Sequence, residues 1–153
     1  MNQSAIDLWT QFKHQHKITQ PDYEVWAFGN SPEMADELLA HVLRGEKTGT
    51  SSLHLLYELG LEDEKIPEVG NYSVLLDGKN QAQAIICTRV VEILSYSRIS
   101  EVHSYLEGEG DRTLQYWRSV HHPFFEQALK AHGLTFSEDL LIVYELFELV
   151  FQK

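Results

Sequence analysis

The 153 residues, 43% hydrophobic and 23% charged, suffice to bury one real core, and this composition excludes a disordered chain. Twelve basic residues against 23 acidic ones give a formal charge of −11, which argues against sequence-blind binding to duplex DNA. Such binding draws its strength from counterion release by Lys and Arg clusters, although a small positive site remains compatible with one nucleotide or a short single strand. The lone Cys87 cannot form an internal disulfide. Met1-Asn2-Gln3-Ser4 opens no basic-then-apolar leader, and no apolar run reaches the roughly 20 residues that span a bilayer. A cytoplasmic protein without a membrane partner is therefore expected.

No repeat, low-complexity tract or linker divides the sequence, so a single domain is expected. Ala5 to His16 places Ile6, Trp9 and Phe12 at helical spacing, and Tyr23 to Phe28 reads as a short extended piece. Ser31 is a good N-cap and Pro32 a natural first helical residue. Met34, Leu38, Leu39 and Val42 then form a buried stripe that Gly45 closes. Thr50 to Leu56 is read as a strand, Asn71 to Asp77 as another with Tyr72, Val74 and Leu76 on one face, and Ala84 to Leu94 as a long β-branched third after the Asp77-Gly78 turn. Helices follow over Ser100 to Leu106 and Arg112 to His121. Pro123 is expected to break or kink the latter ahead of a turn or two closed by Gly133. Leu140 to Phe151 is rich enough in Val, Ile, Phe and Tyr to form a last strand. Strands interleaved with helices predict an α+β domain round a curled sheet or barrel.

Gly45-Glu46-Lys47-Thr48-Gly49-Thr50-Ser51-Ser52 gathers hydroxyls beside one lysine. The glycines permit close backbone approach, the hydroxyls donate and accept, and Lys47 offers a point charge to a phosphate or an oxyanion. The segment is not a phosphate-cradling P-loop, because it follows a helix and does not precede one. By local pattern alone it reads first as a hydroxyl-rich, solvated helix-ending turn.

Glu107, Glu109 and Asp111 alternate with glycines ahead of Trp117, Arg118 and His121. Three carboxylates so close raise one another's pKa or gather a divalent ion, while Asp111 reads first as the cap of the next helix. Arg118 and His121, three apart, can share a helical face and hold a phosphate or supply a proton. Strict alternation puts Arg89 and Glu145 among apolar neighbours, and an Arg89–Glu145 ion pair is one resolution. Cys87 reads as a small buried hydrophobe. Trp9, Trp26 and Trp117 read as core, with Trp26 or Tyr57 also available to stack on a base.

Gly45-x-Lys47-x-x-Thr50 resembles the Gly-x-Lys-x-x-Thr/Ser signature of the ASCH domain family. The resemblance extends through Trp26-Ala27-Phe28-Gly29, Pro67-Glu68-Val69-Gly70-Asn71-Tyr72, Leu75-Leu76-Asp77-Gly78 and Glu107-Gly108-Glu109-Gly110-Asp111 with Leu114, Trp117, Arg118 and His121. It then continues into Phe124-Phe125 and the closing strand, and so covers roughly Trp26 to Val150. It implies a PUA-like curled β-barrel flanked by helices, a fold associated with RNA binding, with an N-terminal helix of about residues 1–20 packed on one domain.

Three functions follow from the resemblance. The first choice is a ribonuclease acting on single-stranded RNA with Mn²⁺ or Mg²⁺, in which Lys47 stabilises phosphate charge, Thr50 or Ser51 positions it, and Glu109 or His121 handles protons; the other two are alternatives to it. The second is an amidohydrolase of an N-acetylated cytidine-type nucleoside. There Thr50 matches the nucleophile and Lys47 its activating partner, while Glu107 and Glu109 compete for the glutamate's place. The third is a non-catalytic RNA-binding module. Ser51, Trp26, Arg118, His121 and Tyr57 complete the expected substrate contacts. The metal requirement, and whether the chain self-associates, stay open. Lys47→Ala is expected to remove activity and spare the fold.

Overall fold

The computed structural model describes residues 1–63 and 65–153. In chain order the elements are α1 (Gln3–His16), β1 (Glu24–Trp26), α2 (Pro32–Leu43), β2 (Gly49–Leu53), α3 (His54–Glu58), β3 (Tyr72–Leu76), β4 (Ala82–Ser95), α4 (Glu101–Glu107), α5 (Leu114–Lys130) and β5 (Leu141–Gln152). The strands form one sheet in the order β1-β3-β4-β5-β2, with β1 parallel to β3 and the other neighbours antiparallel. The α+β expectation is met by a five-stranded sheet curled into a half-barrel. Strands β4 and β5 are long enough to serve both halves of the curl, and two register shifts along them supply the bends.

Burial explains why the helices sit where they do. Ala5, Leu8, Trp9 and Phe12 of α1 pack on Val74, Leu76, Ala82 and Ile85 at one face of β3 and β4. On the opposite face, Leu38, Leu39 and Val42 of α2 meet Leu75, Ala84, Ile86 and Phe147. Trp117, Phe125 and Leu129 of α5 close the far end against Leu53, Leu56, Tyr96, Ile142 and Tyr144. Each of the larger aliphatic and phenylalanine side chains among them contributes about 1.5–3 kcal/mol on leaving water. Among the described residues no helix is long and apolar enough to cross a membrane.

Several local expectations need correction. The strand read over Thr50 to Leu56 stops at Leu53, where α3 turns away and buries Leu56 in the core. Pro123 does not end its helix. Trp117, His121, Phe125 and Leu129 recur every four residues and bury one continuous stripe, so packing outweighs the loss of one backbone donor. That helix begins at Leu114 under a Thr113 cap. Asp111 instead accepts from the backbone N–H and hydroxyl of Thr113, at 3.0 and 2.6 Å.

The Arg89–Glu145 pair does not form. Thr88 pairs with Phe147 and Val90 with Leu146, leaving Arg89 as the extra residue of a β-bulge that breaks the alternation. Its guanidinium turns outward to Glu148 at 2.8 Å, and Glu145 keeps to the other side of the sheet. Cys87 is buried, as expected.

Candidate active site

The Lys47 loop is fixed from both sides. Thr48 N–H and its hydroxyl donate to Leu106 O at 2.8 and 3.2 Å, while Phe147 N–H donates to Thr48 O at 2.9 Å. Arg112 lies over the Tyr105 ring and donates to Glu46 O at 3.1 Å. Gly108 separates the two site glutamates with φ +74°, and a Cβ there would stand 2.0 Å from Glu46 O. Only glycine lets the acidic turn touch the lysine loop.

Lys47 is therefore no solvated turn residue; it is 2% exposed. Its Nζ lies 3.5 Å from Glu107 Oε1 and 3.4 Å from Glu109 Oε2, and 5.4 Å from the centre of the Phe28 ring. The expectation that Lys47→Ala spares the fold fails on this geometry, since removal would leave two buried carboxylates without their cation.

Glu107 is the anchor of the cluster. Its Oε2 accepts from Ser51 Oγ at 2.6 Å and from the Trp117 indole N–H, and its Oε1 faces Lys47 and His121 Nε2, the latter at 3.3 Å. Burial alone would raise this carboxyl, but the charges of His121 and Lys47 and the donors around it hold it well below the ordinary range. His121 Nδ1 must carry a proton, because it donates to Trp117 O at 2.9 Å. Burial pushes His121 down, yet the charge and hydrogen bond of Glu107 win and raise it, which favours imidazolium. Glu109 differs from Glu107, because its contact to a described side chain is the one to Lys47.

Lys47, Thr50, Ser51, Glu107, Glu109 and His121 line an inner chamber of about 50 Å³. It shares Phe28, Gly29, Thr50, Ser51 and Phe124 with an outer cleft of about 260 Å³. Trp26 and Tyr57 stand in that cleft, so eight of the expected site residues converge. Arg118 does not join them. It is exposed on α5, on the side that faces Tyr96. Thr50 sits at the junction of the two spaces, and its hydroxyl makes no hydrogen bond to a described residue.

In the sequence Glu145 stands out only as a charge needing a partner. It lines the cleft directly opposite Thr50 in the β2–β5 register and accepts from Thr88 Oγ1 at 2.9 Å. Burial raises its carboxyl to about 7, with Glu24 pushing the same way and the Thr88 hydrogen bond and Lys47 opposing. The sequence signal was present, as a carboxylate on an apolar strand, but the bulge misdirected its pairing.

Ligand atoms of Glu107, Glu109 and His121 fall within 4.8 Å of one another, the spread a metal would need. The fit is poor, however. The Lys47 ammonium already lies against both carboxylates, and His121 is held in a protonated form by acceptors at both nitrogens.

Comparison with known proteins agrees with the family resemblance. The family described as ASCH domain matches residues 24–151. A protein of Enterococcus faecalis, EF3133, described under the family name DUF984, is 36% identical with a TM-score of 0.90; the match covers 98% of this chain and 90% of that one. An ASCH domain from Lactobacillus crispatus is 28% identical at TM-score 0.89, covering 97% of this chain and 95% of that one. The hypothetical protein PH0355, 14% identical at TM-score 0.54 over 84% of this chain and 98% of that one, shares the fold. No curated protein matches the sequence. The chain belongs to the ASCH domain family.

Proposed function

We propose that this protein is an amidohydrolase that removes a small acyl group from the exocyclic nitrogen of a flat heterocycle, such as an N-acetylated cytidine-type nucleoside. One observation carries the reading: a threonine hydroxyl with no hydrogen bond to a described residue stands between a lysine-containing chamber and an aromatic-walled cleft. The outer cleft suits one ring between Trp26, Phe28, Tyr57 and Phe124. The inner chamber holds a few water-sized groups, roughly the bulk of a two-carbon acyl group.

The chemistry follows from those positions. Glu109 takes a proton from Lys47, and the resulting amine accepts the Thr50 hydroxyl proton as Oγ1 attacks the acyl carbon. The carbonyl oxygen becomes an oxyanion facing the Lys47 side of the chamber. Its collapse breaks the C–N bond, the leaving nitrogen gains a proton, and water then hydrolyses the threonine ester. Glu107 does not exchange protons in this scheme; its donors fix it as the anion that positions Lys47 and His121.

Size and charge disfavour the ribonuclease that the sequence puts first. The cleft takes one base and not a strand, and the protein carries a net charge of −11, which repels a polyanion. The test is direct. Purified protein should release free nucleoside from the N-acetylated substrate, and Thr50→Ala should lose at least about 1,000-fold in kcat/KM with an unchanged melting curve. Cleavage of single-stranded RNA with Mn²⁺, with the acetylated nucleoside left intact, would overturn the proposal.

A further inference from the structure

Building on the amidohydrolase reading, we infer that Glu145 is the general acid that protonates the leaving nitrogen, on the opposite side of Thr50 from Lys47. Three observations lead there. Thr50 and Glu145 are register partners on neighbouring antiparallel strands, so their side chains emerge side by side on one face of the sheet. Thr50 lines both spaces, but Glu145 lines only the outer cleft, where the ring and its nitrogen lie once the acyl group occupies the chamber. Finally, Thr88 holds Glu145 Oε2, while Oε1 has no partner among the described residues. No buried described side-chain oxygen lacks a hydrogen bond, so Oε1 is open to the cleft.

The groups facing Glu145 are Thr50 of β2, Thr88 of β4, Glu24 of β1 and, further off, Lys47; α5 contributes uncharged Phe124, Phe125 and Ala128. Glu62 and Lys65 stand elsewhere on the cleft wall. With one anion near and one cation beyond, burial decides, and the carboxyl is raised to about 7. That matches a proton donor working near neutrality.

The step balances. As the C–N bond breaks, its electron pair takes the Glu145 proton, releasing a neutral amine and leaving a carboxylate. In deacylation the carboxylate takes a proton from the attacking water, and Lys47 returns its proton to the departing Thr50 oxygen. Glu109 then hands back the proton it took from Lys47, and the cycle ends as it began.

The experiment compares kcat/KM against pH on an N-acetylated cytidine-type nucleoside and on nitrophenyl acetate, whose phenolate leaves without a proton. Wild-type turnover of the nucleoside should fall as pH rises through about 7. Glu145→Gln should lose about 100-fold on the nucleoside, flatten that limb, and lose less than about 5-fold on the ester. Glu145→Asp should retain the limb. Equal losses on both substrates, or an unchanged limb in Glu145→Gln, overturn the assignment and leave the amidohydrolase reading standing. Wild-type protein that hydrolyses neither substrate overturns both.

Discussion

Glu107 and Glu145 are two withdrawn carboxylates within one continuous pair of spaces, yet the protein treats them oppositely. Glu107 meets Ser51, Trp117, His121 and Lys47 and stays ionised; Glu145 meets one hydroxyl and is raised to about 7. Burial acts on both in the same direction. The number and charge of the donors decide the outcome, so Glu107 is built for fixed charge and Glu145 for a movable proton.

The largest way to break that contrast is to remove the chamber's cation. Lys47→Ala strands Glu107 and Glu109 with only His121 for compensation, and should cost about 3–5 kcal/mol in urea unfolding as well as all turnover. A variant as stable as wild type would mean that the chamber carries far less fixed charge than its distances imply.

A smaller change separates the two chamber glutamates. Glu107→Gln turns a group that only accepts into one that also donates, against four donors, and should cost about 2–4 kcal/mol. Glu109→Gln disturbs one contact and should leave unfolding within about 1 kcal/mol of wild type while kcat falls 100-fold or more. Reversal of this pattern would give Glu107 the chemical role and Glu109 the structural one.

How much of this was legible depended on the range of each interaction. The cap of α2, the apolar stripes and the long closing strand are written in spacings of two to four residues, and they appear within a few residues of where the sequence puts them. The grouping of Lys47, Thr50, Glu107 and Glu109 came from the family resemblance, because nothing local links residues 60 apart. What escaped was set by three-dimensional context. One extra residue in β4 turned Arg89 outward, a stripe shared across Pro123 kept α5 whole, and a register opposition placed Glu145 beside Thr50. The depth of Lys47 escaped too, since a lysine among glycines and hydroxyls looks like surface until the acidic turn closes over it.

The gentlest test of the contrast uses stability alone and needs no substrate. Glu145 ordinarily titrates near 4.5 and is raised to about 7 in the folded protein, so the native state holds its proton more tightly than the unfolded chain does. The resulting stabilisation is fully present below about 4.5 and is lost as pH rises through about 7. Relative to Glu145→Gln, which cannot titrate, wild type should therefore lose about 1–3 kcal/mol between pH 5 and pH 8. His121, also raised, loses stabilisation in the same direction, but it is common to both proteins and cancels in the difference. Urea unfolding at a series of pH values gives the comparison. Two curves running parallel across that range would put Glu145 among ordinary solvated carboxylates and remove the distinction between chamber and wall.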